Sequence, residues 1–189
     1  MSDSSCVLVV DDDPNDVFLF QHAMKNAGVA NLVQIASDGQ QAIDYLQGTG
    51  KFANRDKYPF PSLVLLDLKL PYVMGLDVLK WIRQESNPAL TVLMLTASGE
   101  DADIVTAYRL GANGFLIKPS EAHKLHDMVR AIKDFWLTHN TLPRDPSAES
   151  PMEGVVSLVR SAPTDFSPRR PSANGRCREE WPHDTKSKL

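Results

Sequence analysis

Apolar and polar positions alternate along this chain in two distinct rhythms. Short continuous apolar runs recur, and each of four ends on a chemically pointed residue. CVLVV at Cys6–Val10 runs into Asp11-Asp12-Asp13, and SLVLL at Ser62–Leu66 runs into Asp67. TVLML at Thr91–Leu95 runs into Thr96, and GFLI at Gly114–Ile117 runs into Lys118-Pro119. Such runs read as strands buried on both faces of a parallel sheet. A further run, Leu32–Ala36, supplies another strand.

Helical spacing fills the intervals. Val17, Phe20, Met24 and Ala27 predict a helix over Asn15–Ala27, with Asp13 or Asn15 placed to cap it, Pro14 near its first turn and Gly28 as its stop. Ala42, Ile43 and Leu46 mark an inward face over Gln40–Gln47. Val78, Leu79 and Ile82 do so in a helix that follows Gly75 and runs to about Glu85. A fourth helix spans Glu100–Leu110, stopped by Gly111. A fifth spans Glu121–Leu137, with Leu125, Met128, Val129, Ile132 and Trp136 on one face.

Strict strand–helix alternation implies βαβ crossovers, hence an α/β doubly wound five-stranded parallel sheet with helices on both faces. In such a sheet the ligand crevice lies beyond the carboxyl ends of the strands. The aspartates, the threonine and the lysine should therefore share one cleft. The connection Gly48–Pro61 is long and carries Lys51, Arg55, Asp56 and Lys57, and reads either as a partner surface or as a solvated insertion.

Composition divides the chain. Residues 1–139 hold 12 Lys and Arg against 17 Asp and Glu, a net −5 that disfavours a nucleic-acid surface. Residues 140–189 hold seven prolines and many Ser, Arg and Glu, and read as a disordered low-complexity tail with one apolar patch, Val155–Val159. That tail shows no helical pattern with a basic recognition helix, so a DNA-binding output is not expected from it. No apolar run approaches the ~20 residues a membrane span needs. The opening residues lack a signal-peptide pattern, and two cysteines, Cys6 and Cys177, are too few for a disulfide framework or a zinc site. The expectation is a cytoplasmic protein.

Crowded carboxylates repel unless a cation joins them, and hard oxygen ligands favour magnesium or calcium over zinc. Asp11–Asp13 would partly serve as a helix cap, but that does not account for Asp67 at the same sheet edge. A carboxylate can attack phosphorus to give an acyl phosphate. A metal would neutralise the incoming oxygens, Lys118 would supply a point charge, and Thr96 a hydroxyl. Singly, Lys118 reads as a surface lysine and Thr96 as a strand-end cap. The case rests on their recurrence at one edge.

Residues 6–137 resemble a response-regulator receiver domain. The resemblance is carried by Asp11-Asp12, Asp67 after an apolar strand, Lys69-Leu70-Pro71 with Gly75, Thr96-Ala97 and Lys118-Pro119. The long loop before strand three and the opening Asp11-Asp12-Asp13-Pro14-Asn15-Asp16 resemble the small stand-alone regulators paired with bacterial phytochrome kinases. The resemblance implies a flavodoxin-like strand order of 2-1-3-4-5 over a receiver at 1–139. It implies Asp67 as phosphoacceptor, with Thr96 and Lys118 binding the phosphoryl group. Mg2+ would be held by Asp12, Asp67 and the backbone carbonyl of Lys69, with Asp11 acting through water. The Lys118–Pro119 bond would be cis. Phe115 takes the switch-aromatic position and turns inward when Thr96 moves. The partner would be a sensor histidine kinase, a bacteriophytochrome by the narrower resemblance. The chain would catalyse only its own phosphorylation and dephosphorylation. The signal would leave by protein–protein contact, onward phosphotransfer or homodimerisation through the switch face or the long loop.

Two other readings stand beside this one. The first is a phosphate-independent, receiver-like adaptor. The second is an aspartyl-phosphate phosphatase, for which Asp11 and Asp13 have the required spacing. A glycine-rich phosphate loop after strand one is missing, since Asp11-Asp12-Asp13-Pro14 stands there.

Overall fold

The apolar runs form five parallel strands in the computed structural model, which describes residues 6–141 apart from 87, 88 and 98 and the side chain of Ser86. They are β1 (Cys6–Val10), β2 (Leu32–Ala36), β3 (Pro61–Leu66), β4 (Thr91–Thr96) and β5 (Gly114–Ile117). Their order is β2-β1-β3-β4-β5, as the resemblance implied. The helices are α1 (Pro14–Asn26), α2 (Gly39–Gln47), α3 (Gly75–Trp81), α4 (Asp101–Arg109) and α5 (Ala122–Ile132). Residues of the tail from 142 onward, Val155–Val159 among them, lie outside the described residues.

Each central strand is buried on both faces because its alternate side chains feed two cores. Leu8, Val10, Val64, Leu66, Val92 and Met94 pack with Val78 and Leu79 of α3 and Ala107 of α4. Val7, Val9, Leu63, Leu65, Leu93 and Leu95 pack with Phe20 and Met24 of α1 and Val129 and Ile132 of α5. Burying a side chain of this size contributes about 1.5–3 kcal/mol. The expectation of two buried faces fails at β5. It is an edge strand, half-buried along most of its length, with Ile117 exposed.

Helix ends follow local chemistry. Asp13 is the N-cap of α1, its side chain accepting from the Asn15 N–H at 2.8 Å, with Pro14 at the first helical position. Lys133 donates to Ala27 O at 2.8 Å, tying α5 to the carboxyl end of α1. The predicted third and fifth helices do not stay α-helical to their ends. Ile82–Ser86 and Lys133–His139 widen into π turns.

The long connection is anchored by packed aromatics, while Lys51, Asn54, Asp56 and Lys57 stay exposed to solvent. Tyr45, Phe52 and Tyr58 form an aromatic triangle with centroids 5.1–6.1 Å apart. Tyr45 is fully buried and its hydroxyl donates to Pro59 O at 2.8 Å. Arg55 donates to the carbonyls of Tyr45 (2.8 Å), Leu46 (2.7 Å) and Tyr58 (3.2 Å), so it satisfies the carboxyl end of α2.

Candidate functional site

Strand register assembles the site. Val10 lies opposite Ala36 and Leu66, and Leu66 lies opposite Met94. Asp11 and Asp67, each one residue past its strand, are therefore neighbours. The ladder extends to them: the Asp11 N–H donates to Ala36 O at 3.0 Å and the Asp67 N–H to Val10 O at 2.9 Å. Thr96 pairs with Ile117, and the Lys118 N–H donates to Thr96 O at 2.7 Å. The strand order reverses between β1 and β3, so the aspartates stand at the topological switch point.

Asp11, Asp12 and Asp67 each offer a carboxylate oxygen within 4.8 Å of the others. Asp11 and Asp67 are buried and Asp12 is exposed. The Lys118 ammonium donates to Asp11 Oδ2 at 2.6 Å and to Asp16 Oδ2 at 2.9 Å. Its distance to Asp67 Oδ1 is 3.9 Å, an ion-pair distance that is too long for a hydrogen bond. Asp67 Oδ1 is buried and accepts no hydrogen bond from the described residues. Burial pushes the Asp67 carboxyl above its ordinary range, and Lys118 only partly opposes this. Burial likewise raises Asp11 against the pull of its bond to Lys118. Burial works against charge on Lys118, but the bonds to Asp11 and Asp16 together hold its pKa above the ordinary value.

This donor set suits a divalent cation. It is all oxygen, carries three negative charges in one small volume, and includes one buried oxygen that lacks a donor. Lys118 supplies one cationic group for two buried carboxylates. A hard cation at this cluster would relieve both the repulsion and the desolvation.

The turn after β3 is drawn in tightly. A Cβ on Gly75 would lie 2.0 Å from Asp67 O, and one on Gly39 would lie 2.0 Å from Val73 O. Only glycine allows these two approaches. Between them the Val73 N–H donates to Pro71 O at 2.8 Å across Tyr72, whose φ is 65°. That is a γ-turn of the strained hand, carried by an aromatic residue that is 89% exposed. Lys69, in the same turn, has an exposed side chain. Phe115 is half-buried against the α3/α4 core, with its ring beside Gly99, where an added Cβ would meet it at 3.2 Å.

The structure thus gathers Asp11, Asp12, Asp67 and Lys118 into one cluster, with Thr96 buried beside Lys118 in the ladder. At the site it corrects one expectation. Every peptide bond among the described residues is trans, Lys118–Pro119 included. The two isomers of such a bond differ by only about 0.5–1 kcal/mol, so sequence does not choose between them. Lys118 reaches both Asp11 and Asp16 from the trans form. Sequence reasoning missed Asp16 as part of the site. Its position in the first turn of α1 was the available signal, but an acid there ordinarily serves the helix.

Residues 7–130 match the response regulator receiver domain family. The chain is 37% identical over 150 residues to response regulator Rcp1 of Synechocystis sp., a match covering 76% of this chain and 99% of that protein. The Mn2+-bound form of Rcp1 is structurally similar at a TM-score of 0.67 and 34% identity, over 74% of this chain and 99% of that one. Response regulator RPA3017, from red light signaling of R. palustris, gives a TM-score of 0.70 at 32% identity, over 75% and 99%. The phosphorylated cyanobacterial phytochrome response regulator RcpA gives 0.69 at 33% identity, over 74% and 99%. Fold, site cluster and sequence agree: the chain belongs to the response regulator receiver domain family, and its relatives include small phytochrome-associated regulators.

Proposed function

We propose that Asp67 is the phosphoacceptor of a two-component relay and that the chain signals by changing shape when that group is loaded. The observation that carries this reading is Asp67 Oδ1, buried in the acidic cluster and accepting no hydrogen bond from the described residues, with an ammonium 3.9 Å away. An unengaged carboxylate oxygen is what a nucleophile requires. That oxygen attacks the phosphorus of a phosphohistidine on a sensor kinase. The new O–P bond replaces the P–N bond, and the histidine nitrogen leaves with the bonding pair and takes a proton from water.

Asp11, Asp12 and Asp67, with the Lys69 carbonyl, are the groups that would hold Mg2+, which when bound neutralises the carboxylates and the incoming phosphoryl oxygens. Lys118 moves the remaining distance to bind one phosphoryl oxygen, and the Thr96 hydroxyl binds another. The chain acts on itself alone, accepting and later losing the group. A phosphatase reading finds less support. Asp13, which it would use as catalytic acid, faces the helix and accepts from Asn15 N–H.

Phe115, paired with Met94 two residues before Thr96, follows Thr96 inward, altering the face of α4, β5 and α5. Val105, Tyr108 and Ile117 are already 47%, 53% and 55% exposed there. The partners are a sensor histidine kinase, a phytochrome by likeness to RcpA, and an output protein or second copy met through this face. A cytoplasmic location fits such partners, and no helix among the described residues is long and apolar enough to cross a membrane.

Amide chemical shifts before and after loading with acetyl phosphate and Mg2+ test the switch. The expected result is a set of shifts at Asp67, Thr96 and Lys118 that continues through Phe115 to Val105, Tyr108 and Ile117. Loading without any shift on that outer face would contradict it.

A further inference from the structure

Asp16 is in an unusual position for an acid in the first turn of a helix. It is the third helical residue of α1, three beyond the N-cap Asp13. An acidic side chain there ordinarily reaches back to the N–H of the capping residue. In this chain that N–H is already taken, because Asp13 N–H donates to Asp11 Oδ1 at 3.2 Å. Asp16 instead reaches across to β5's end and accepts from Lys118 at 2.9 Å.

The Lys118 ammonium has three protons. It spends one on Asp11 and one on Asp16, and stops 3.9 Å short of Asp67. Its two partners differ in a way that decides their roles. The Asp11 side chain is only 5% exposed and also accepts from the Asp13 N–H, whereas Asp16 is 39% exposed. If Lys118 leaves, Asp16 is rehydrated at small cost, as a half-exposed ion-pair partner should be.

We infer that Asp16 is a positioning residue, a releasable latch that holds Lys118 off Asp67 in the resting state. Loading of Asp67 then draws Lys118 toward a phosphoryl oxygen and away from the Asp16 carboxylate, so Asp16 sets how much donor is needed to switch the protein. This rests on the phosphoacceptor role of Asp67. The structure makes Asp16 neither a nucleophile nor a member of the three-carboxylate cluster.

The test is the acetyl phosphate concentration that gives half-phosphorylation at steady state with saturating Mg2+, read by intact mass. Asp16→Asn should lower it roughly two- to fivefold, the range that a half-exposed ion pair supports. Asp16→Glu, which keeps the charge within reach of Lys118, should return it to the wild-type value. Asp13→Asn removes the same unit charge from the same helix end and keeps a good N-cap, so it should leave the value unchanged. An Asp16→Asn half-point equal to wild type overturns the latch. An equal fall in Asp13→Asn also overturns it, since the effect would then be the general field. If wild type takes no phosphoryl group at all, the phosphoacceptor reading fails and the latch fails with it. Thermal unfolding of each variant close to that of wild type shows that the comparison is between folded proteins.

Discussion

Asp67 sits where a carboxylate is poorly served by its own protein. It is 8% exposed, one oxygen lacks a donor, and Asp11 and Asp12 add negative charge nearby. Leaving a buried polar group unsatisfied costs about 1–3 kcal/mol. Asp67→Asn should therefore raise the stability of metal-free protein by about 1–2 kcal/mol at neutral pH, as seen by thermal unfolding in chelator. An unchanged or lowered midpoint would contradict this. The pH dependence has a definite sign. Burial raises both Asp11 and Asp67 above the ordinary 3.8, so the folded chain binds these protons more tightly than the unfolded chain. Their contribution to stability is greatest at and below about that ordinary value and is lost as pH rises through the raised folded values. Asp67→Asn should flatten that part of the profile. Asp67, Asp11 and Lys118 were legible in the sequence because each ends an apolar run. Asp16 was not, because its partner Lys118 lies 102 residues away and its own neighbours suggest a helix cap.

At the scale of elements, the turn from Asp67 to Gly75 shows what periodicity cannot. Strands announce themselves here as continuous apolar runs and helices by a spacing of 3.6. A γ-turn at Tyr72 between two glycine contacts has no such signature. The turn's backbone is fixed by close approaches to α2 and to Asp67's own carbonyl, and both depend on tertiary packing. Because Tyr72 is 89% exposed with φ of 65°, Tyr72→Gly should lose little side-chain packing and relieve the strained backbone. A gain of about 0.5–1 kcal/mol is expected in chemical denaturation, and a loss would show that the Tyr72 ring has a structural role. The long loop before β3 was equally hidden. Its order comes from Arg55 bonding three carbonyls and from the Tyr45–Phe52–Tyr58 contacts, none of which follows a local pattern. The edge position of β5 explains why an apolar run read as fully buried leaves Ile117 exposed.

For the whole molecule, topology turns a scattered set of residues into a site. Asp11, Asp67 and Lys118 are far apart in sequence, but a parallel sheet brings the carboxyl ends of its strands to one edge. Strand order was expected from family resemblance and not from periodicity, which fixes the alternation of elements but not which strand lies at the edge. The same architecture places the edge strand β5 directly after Thr96 in the ladder, so a movement at the site has a short path to an exposed face. The central claim is that this site takes a phosphoryl group on Asp67 with the help of a divalent cation. Its most direct test is intact mass after incubation with acetyl phosphate, with and without Mg2+, for wild type and Asp67→Asn. The account predicts a gain of roughly 80 Da, one phosphoryl group, in wild type with Mg2+, abolished by chelator and by Asp67→Asn. A gain that persists in Asp67→Asn, or no gain in wild type, would contradict it.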